Sequence, residues 1–454
     1  MWHAKPLFFL ILGIVAEHLC LVRYATLSAA THGLLPLNFT ALAAATLLLL
    51  LLSALLRRRR RVAGVAVLLA IFSIGMLTME RQSHSLRYSH TTHRYYEQPQ
   101  EGGVTAKITA HAATVRERLL QEYKGYGLDG EAFAIVAAMT LGDRSGVTQE
   151  LREVYNVTGG AHVFALSGLH LSIIFMLLTL LMPTFRHPKL SLAIPLTLVW
   201  AYVLLVGPHA SVLRAAIMMT LYGVGRILAR YSRPVDVIAA AAMLILIVKP
   251  HWLFDAGFQM SFLAVLSICM LYNGIFRTLY NLIKYRSLNH DRYAELLLQD
   301  PMVENKEPWP TRLLRFVVGL FSVSLAAQIG VAPLVAFYFH RFSCYFWITN
   351  FFVSPAAILI IGLSLLLLIA SLLLPSALAG VTGAIAWGLK WTVTLQNMLL
   401  EWIANLPCAS IEDIHISTLQ LLMIYIFIAA TVLLVRRMYN VYLCEKVCEV
   451  NKNE

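Results

Sequence analysis

Long apolar segments recur along the whole chain, and most have the length that a helix needs to cross a lipid bilayer. A membrane-spanning helix takes about 20 mainly apolar residues, because each residue advances the helix by about 1.5 Å through a hydrocarbon layer about 30 Å thick. Hydrophobic residues make up 59% of the 454 residues and charged residues 13%, a balance that excludes a set of soluble domains. The apolar segments are residues 6–22, 39–56, 62–79, 163–182, 190–206, 211–228, 235–248, 258–272, 313–339, 345–374 and 416–435. The sequence therefore predicts an all-α, polytopic helical bundle of about ten or eleven transmembrane helices.

The basic residues are distributed unevenly between the connecting segments. The net charge of +12 would suit a nucleic-acid-binding protein, but lysine and arginine also collect in the cytoplasmic loops of membrane proteins. If the spans alternate in direction, the basic clusters at 57–61, 226–233, 277–315 and 436–437 all fall on one side. We therefore expect a bacterial inner-membrane protein with a cytoplasmic N-terminus and with residues 80–160 on the outer face.

Four regions follow from this pattern. Residues 1–79 hold three leading spans, and residues 80–130 form an outer segment in which 104–123 has the spacing of an amphipathic helix. Residues 131–440 hold the remaining spans, and residues 441–454 form a cytoplasmic tail.

Two later segments depart from a simple span. Residues 345–374 are too long for one untilted span and contain Pro355, which favours a broken or re-entrant element. Residues 380–405 carry Trp387, Trp391 and Trp402 together with charged side chains, which favours a helix in the outer membrane interface.

A few strongly polar side chains interrupt the apolar spans, where they are costly and therefore indicate a site or a pathway. They are Ser167, His170, Arg214, Asp255, Gln259 and Gln328. The spacing of Ser167 with His170, and of Asp255 with Gln259, predicts a shared helix face for each pair, and the topology puts both pairs and Arg214 in the outer half of the bundle. One interpretation is an ion pair between Arg214 and Asp255 that only neutralises two charges. The other is a hydrated substrate path lined by the whole set.

Several ordered motifs accompany these residues. Residues 141–144 read LGDR and residues 158–170 read TGGAHVFALSGLH, followed by SVLRA at 211–215 and DAGFQMSF at 255–262. Two shorter and less specific motifs follow further along the chain: Pro333 with Phe337, and Asn350 with Pro355. In these stretches the chain resembles the membrane competence domain of the ComEC family, the inner-membrane DNA uptake channel of naturally transformable bacteria.

The resemblance implies that residues 131–440 form a channel for single-stranded DNA, with no catalytic residue, metal or cofactor. It implies Arg214 as a phosphate contact, adds Ser261 and Asn350 to the residues lining the path, and gives Asp255 the role of holding Arg214. Many family members also carry an outer OB-like domain and a metallo-β-lactamase-like nuclease domain. About sixty residues separate Met79 from Leu141, which is too few for an OB-like domain. The sequence contains no His-x-His-x-Asp-His ligand set, which a metallo-β-lactamase-like nuclease domain would need. The implied partners are therefore a separate nuclease, a periplasmic DNA receptor and a cytoplasmic helicase, beside the lipid bilayer.

Two other functions stay open from the residues alone. Ser167 beside a glycine, with histidines elsewhere, has the residue types of an intramembrane serine hydrolase, although Ser167 and His170 on one helix would point alongside each other. A polar cluster combined with a broken helix also suits a small-solute secondary transporter, which would be expected to show an internal repeat that this sequence lacks by inspection.

Overall fold

The computed structural model describes residues 6–16, 46–49, 65, 67–79, 104–164, 166–181, 188–207, 209–228, 233–287, 309–373 and 379–450. Most of the expected span at 39–56, and residues 80–103 of the expected outer segment, lie outside these ranges. The helices in chain order are α1 (Pro6–Ala16), α2 (Val67–Met79), α3 (Val104–Gly125), α4 (Gly130–Leu141), α5 (Gln149–Thr158), α6 (Gly168–Leu181), α7 (Pro188–Val206), α8 (Ala210–Ile227), α9 (Pro234–Val248), α10 (Ala256–Ser287), α11 (Trp309–Phe339), α12 (Phe346–Leu373), α13 (Ala379–Ala404) and α14 (Thr418–Val450).

The all-α prediction is confirmed. In the part of the chain that the structure describes, the one sheet is a pair of two-residue strands, β1 (Phe342–Ser343) and β2 (Ser410–Ile411), which run antiparallel. Single 3-10 turns at Ala161–Phe164 and Pro250–Phe254 precede α6 and α10.

Five of the described helices are long and apolar enough to cross a membrane, as expected of a multi-pass membrane protein. These candidate spans are Ala210–Ile227, Ala256–Ile283, Trp309–Phe339, Phe346–Ser371 and Thr418–Val435. Six shorter apolar helices accompany them, five of which match predicted segments. The sixth is α4, which sequence reasoning missed because its apolar run is too short to cross a bilayer, although nearly all of its side chains are buried.

The prediction of a broken or re-entrant element at 345–374 is wrong. α12 is one continuous helix from Phe346 to Leu373 with Pro355 inside it. Proline removes one backbone N–H, but membrane helices tolerate this loss because neighbouring groups satisfy the freed carbonyl.

The chain divides into two compact units. The first unit comprises Met1–Leu151, Ala161–Phe262 and Ser354–Asn397, and the second comprises Arg152–Gly160, Leu263–Val353 and Met398–Glu454. In the first unit α6, α7, α8 and α9 pack side by side, and α3 lies against α7. The buried apolar side chains between α6, α7 and α8 include Leu171, Val199, Val203 and Val212.

Glycine permits one close helix crossing in the first unit. A Cβ atom on Gly13 of α1 would collide with the backbone carbonyl of Phe72, and one on Gly75 of α2 would collide with that of Leu10. Small residues at such crossings let two membrane helices approach closely enough for backbone contact.

In the second unit α11 packs against α14, and the Tyr425 hydroxyl donates to the Gly330 carbonyl across 2.8 Å. Arg341, between α11 and β1, forms ion pairs with Glu153 at 2.7 Å and Glu412 at 3.0 Å. These contacts join α5, the β1 turn and the segment after α13 within this unit.

Candidate functional site

Arg214 is the most deeply buried charged side chain of the predicted set. It is the fifth residue of α8, it is only 3% exposed, and it is flanked by the buried residues Val212, Ala215 and Ala216. Its Nη2 donates to the backbone carbonyl of Gly257 across 3.0 Å. Its Nε and Nη1 are also buried and have no hydrogen-bond partner among the described residues. Two nitrogens of a buried guanidinium, with three N–H donors between them, are therefore unsatisfied, which is costly in a protein interior.

Asp255 is the N-cap of a helix and lies just outside it. The prediction that Asp255 and Gln259 share a helix face is therefore wrong. Asp255 immediately precedes α10, and its Oδ1 accepts a hydrogen bond from the Phe258 N–H across 2.7 Å. This is the ordinary role of aspartate at a helix N-terminus, where the first N–H groups lack partners within the helix.

Gly257 lies beside both charged groups. A Cβ atom on Gly257 would lie 3.1 Å from Asp255 Oδ1 and 3.8 Å from Arg214 Nη2. Among the described residues Arg214 bonds to the backbone carbonyl of Gly257 in α10 and forms no ion pair with the Asp255 carboxylate. Sequence reasoning named the two charged residues but did not assign a role to Gly257, whose missing side chain leaves room for both.

Ser167 also precedes its helix, which corrects the prediction that it shares a helix face with His170. α6 begins at Gly168, and the Ser167 hydroxyl accepts a hydrogen bond from the backbone N–H of His170 across 3.3 Å. The His170 ring is 1% exposed, and its Nδ1 is buried without a hydrogen-bond partner among the described residues.

The first turns of α6 and α8 lie against each other. A Cβ atom on Gly168 would be 3.4 Å from that of Ala215, the neighbour of Arg214, and the Ser211 hydroxyl donates to the Leu166 carbonyl. The N-terminal ends of α6, α8 and α10 are thus joined through Ser211, Arg214 and Gly257.

The remaining candidates fall into two groups. In the first unit Gln259 donates from Nε2 to the Leu253 carbonyl across 2.9 Å, and Ser261 is half-buried in the second turn of α10. In the second unit Gln328 is half-buried in α11, and Asn350 donates from Nδ2 to Ser324 Oγ across 2.8 Å. Six of the eight predicted residues therefore belong to the first unit and two to the second.

His251 and Lys249 lie in the turn before Asp255, and the interpretation of the sequence as a DNA path gave neither of them a role. Burial lowers the pKa of His251 below its ordinary value of 6.5, and the nearby Lys249 lowers it further, against a smaller upward effect of Asp255. The Lys249 ammonium lies 4.7 Å from the centre of the Trp252 ring. Isolated residues of this kind follow no motif, so only their position beside Asp255 indicates that they belong to the site.

Metal-ligating side chains do not converge at the described part of this site or elsewhere in the described ranges, where no three His, Cys, Asp or Glu residues form a group. The polar groups here are suited to hydrogen bonding and to charge interactions.

The chain is similar in sequence to two bacterial proteins. Over 319 residues it is 27% identical to ComE operon protein 3 of Bacillus subtilis (strain 168), covering 68% of this chain and 34% of that protein. Over 158 residues it is 28% identical to an uncharacterized protein of Aquifex aeolicus (strain VF5), covering 35% of this chain and 38% of that protein. The chain therefore spans little more than a third of the length of these relatives. No solved structure matches it.

The site lies within the part of the chain that matches a known family. The sequence profile named "Competence protein" matches residues 139–438, about two thirds of the chain, and all eight candidate residues fall inside that range. Together with the similarity to ComE operon protein 3, this match shows that the chain belongs to the competence protein family and is a ComEC-type member of it.

Proposed function

We propose that this chain forms a membrane conduit for single-stranded DNA during natural transformation, and that Arg214 contacts the phosphates of the strand. The observation that carries the proposal is the burial of Arg214 among apolar helices with Nε and Nη1 unsatisfied. Membership of the competence protein family gives the biological setting.

The cost of burying Arg214 argues for a use beyond packing. Removing a charged group from water costs several kcal/mol even after relaxation, and in membrane proteins such residues typically mark a substrate pathway. The guanidinium has five N–H donors that suit phosphate oxygens, and it stays charged at any physiological pH. A phosphodiester would satisfy the donors that the described residues leave without partners.

The contacts around Arg214 suit passage of a strand better than permanent binding. One neutral carbonyl, that of Gly257, holds the guanidinium. The Asp255 carboxylate lies close by, because a Cβ atom on Gly257 would be 3.1 Å from Asp255 Oδ1 and 3.8 Å from Arg214 Nη2. The Asp255 carboxylate therefore repels a phosphate that reaches Arg214, and this repulsion shortens the lifetime of the contact. Conduction requires contacts favourable enough for entry and weak enough for release.

The geometry favours a conduit over a serine hydrolase. The Ser167 hydroxyl caps α6 through the His170 backbone, whereas a nucleophilic serine needs the imidazole of a base within hydrogen-bond reach. We therefore assign Ser167 and His170 to the wall of the path. A separate nuclease, a DNA receptor and a helicase would act beside this chain as partners.

The direct test is DNA uptake in a strain that lacks the gene. Uptake of fluorescent DNA into the cytoplasm should be lost in the deletion strain and restored by the natural gene. With Arg214→Ala it should fall by about tenfold or more, since a hydrogen bond to a charged group contributes roughly 1.5–3 kcal/mol and each 1.36 kcal/mol is tenfold in rate. Arg226→Ala is the matched control, because Arg226 is an exposed arginine three turns further along the same helix.

A second experiment isolates the phosphate contact. Protein reconstituted in liposomes is given a labelled single-stranded oligonucleotide or an uncharged peptide nucleic acid of the same sequence. Arg214→Ala should slow entry of the DNA and leave entry of the uncharged strand unchanged. Equal DNA entry for the natural and variant proteins at equal abundance would remove Arg214 from the path, and unchanged uptake in the deletion strain would remove the conduit itself.

A further inference from the structure

Helix α13 presents three different faces along its 26 residues. One face is buried and includes Ala386, Leu389, Val393, Leu400 and Ile403. A second face carries large apolar side chains that are each 55–66% exposed. These side chains, called the tryptophan stripe, are Trp387, Trp391, Leu395, Met398 and Trp402.

The third face is polar and lies beside the tryptophan stripe. It carries the exposed residues Lys390 and Glu401, which are eleven positions apart and therefore fall on one side of a helix with 3.6 residues per turn. Asn397, which is 5% exposed, lies at the border between this face and the buried one. On the same count this polar face is centred about a quarter turn from the tryptophan stripe.

Charged groups lie at the midpoint of α13. Lys390, its twelfth residue, forms an ion pair with Asp129 at 2.7 Å, and the two side chains are 48% and 78% exposed. At about 1.5 Å per residue, a spanning α13 would put this pair close to the centre of the hydrocarbon layer. Exposed charges at that depth are among the costliest arrangements in a membrane protein, so the midpoint of α13 must have access to water.

From this geometry we propose that α13 does not cross the membrane and lies parallel to its plane in the headgroup zone. The tryptophan stripe points into the lipid, and the polar face with Lys390 and Asp129 meets water. α13 is also absent from the described helices that are apolar enough to cross a bilayer. The proposal does not depend on DNA transport.

The chemistry of the tryptophan stripe fits lipid headgroups as its occupant. Indole rings are amphipathic and concentrate at membrane–water interfaces, where the ring sits at headgroup level and the N–H stays hydrated. The rings of Trp387 and Trp391 lie 5.9 Å apart on consecutive turns, which gives a continuous aromatic surface.

Depth measurements along the tryptophan stripe test the proposal. Spin labels are placed one at a time at 387, 391, 395, 398 and 402 in a cysteine-free full-length protein in liposomes. Their collisions with oxygen and with a water-soluble nickel chelate report depth. A helix parallel to the membrane gives five similar depths near the headgroup boundary, whereas a spanning helix gives a gradient of about 22 Å between 387 and 402.

α12 supplies the matched control. Phe352, Leu359 and Leu366 are exposed at seven-residue intervals on a candidate membrane span, so labels there should show a steep depth gradient. A gradient on α13 equal to that on α12 overturns the proposal. Full water exposure of the labels at 387–402, with no oxygen-rich environment, also overturns it.

A second measurement avoids cysteine substitutions altogether. Lipids brominated close to the headgroup should quench the natural protein's tryptophan fluorescence more than lipids brominated near the chain ends. This difference should shrink in the triple variant Trp387→Phe, Trp391→Phe, Trp402→Phe. An unchanged difference in the triple variant would place these three rings away from the headgroups.

Discussion

The Arg214 guanidinium on α8 donates from Nη2 to the backbone carbonyl of Gly257, 3.0 Å away in the first turn of α10. A helix N-terminus carries a partial positive charge, so the helix dipole repels a cation at this position. The negative charge of the Asp255 carboxylate at the same helix end offsets part of this repulsion. Arg214 is therefore poorly placed for stability, which suits a residue kept for function.

Arg214→Met should separate stability from function. The buried guanidinium leaves Nε and Nη1 without partners, so methionine, which has a similar length, removes an uncompensated desolvation cost. The midpoint of thermal unfolding of the purified variant should therefore match or exceed that of the natural protein. DNA uptake by the same variant should fall. A loss of about 3 kcal/mol or more, the cost of removing one partner of a buried ion pair, would instead show that Arg214 and Asp255 act as such a pair and that Arg214 is structural.

The apolar pattern predicted the helical class and most helix positions, because segment length against membrane thickness is a strong constraint. The placement of polar residues was harder to predict. Ser167 and Asp255 fit a helical spacing with His170 and Gln259, yet both act as N-caps, since serine and aspartate satisfy backbone N–H groups better before a helix than inside it.

Contacts between residues far apart in the sequence could not be predicted for a different reason. Asn397 of α13 donates to the Glu131 carboxylate across 2.7 Å although 266 positions separate them, and no local periodicity encodes such a pairing. The continuity of α12 through Pro355 likewise depends on packing, which local breaker residues do not reveal.

Ser167→Ala tests whether Ser167 is a cap or a nucleophile. Loss of the bond to the His170 N–H should lower stability by about 0.5–2 kcal/mol, and Ser167→Asp, which keeps a capping oxygen, should retain most of it. A fluorophosphonate probe should label neither the natural protein nor the variants. Labelling that disappears in Ser167→Ala would restore the hydrolase interpretation.

The Asp129–Lys390 ion pair should make the stability of the folded protein depend on pH. A hydrogen bond and the charge of Lys390 lower the pKa of Asp129 below its ordinary value of 3.8. The folded carboxylate therefore keeps its charge to lower pH than the unfolded one, so the stabilisation is complete above pH 3.8 and is lost as the pH falls through the folded pKa. The difference in thermal midpoint between the natural protein and Lys390→Met should be present at pH 6 and should shrink below about pH 4. A difference that does not vary with pH would show that Lys390 contributes through packing alone.

Gly330→Ala should disrupt the contact between α10 and α11, whereas Gly319→Ala on the same helix should not. A Cβ atom on Gly330 would collide with the Ser267 hydroxyl, would lie 2.7 Å from the Ser267 Cβ and would come within 3.2 Å of the Leu263 carbonyl. The nearest atom to a Cβ on Gly319 is the Tyr272 hydroxyl at 3.8 Å. Overpacking at Gly330 should cost about 1–3 kcal/mol, while alanine at Gly319 should stabilise the helix by roughly 0.5–1 kcal/mol.

Thermal unfolding of the two glycine variants in detergent measures this difference. Adding Ser267→Gly to Gly330→Ala should recover part of the loss, because it removes the side-chain collision and leaves only the Leu263 carbonyl close by. If the two single variants were equally stable, α10 and α11 would not cross at Gly330. The same substitution is expected to lower stability at Gly330 and to raise it at Gly319, on one helix. This pair of variants is therefore a sharp test of helix packing in the second unit.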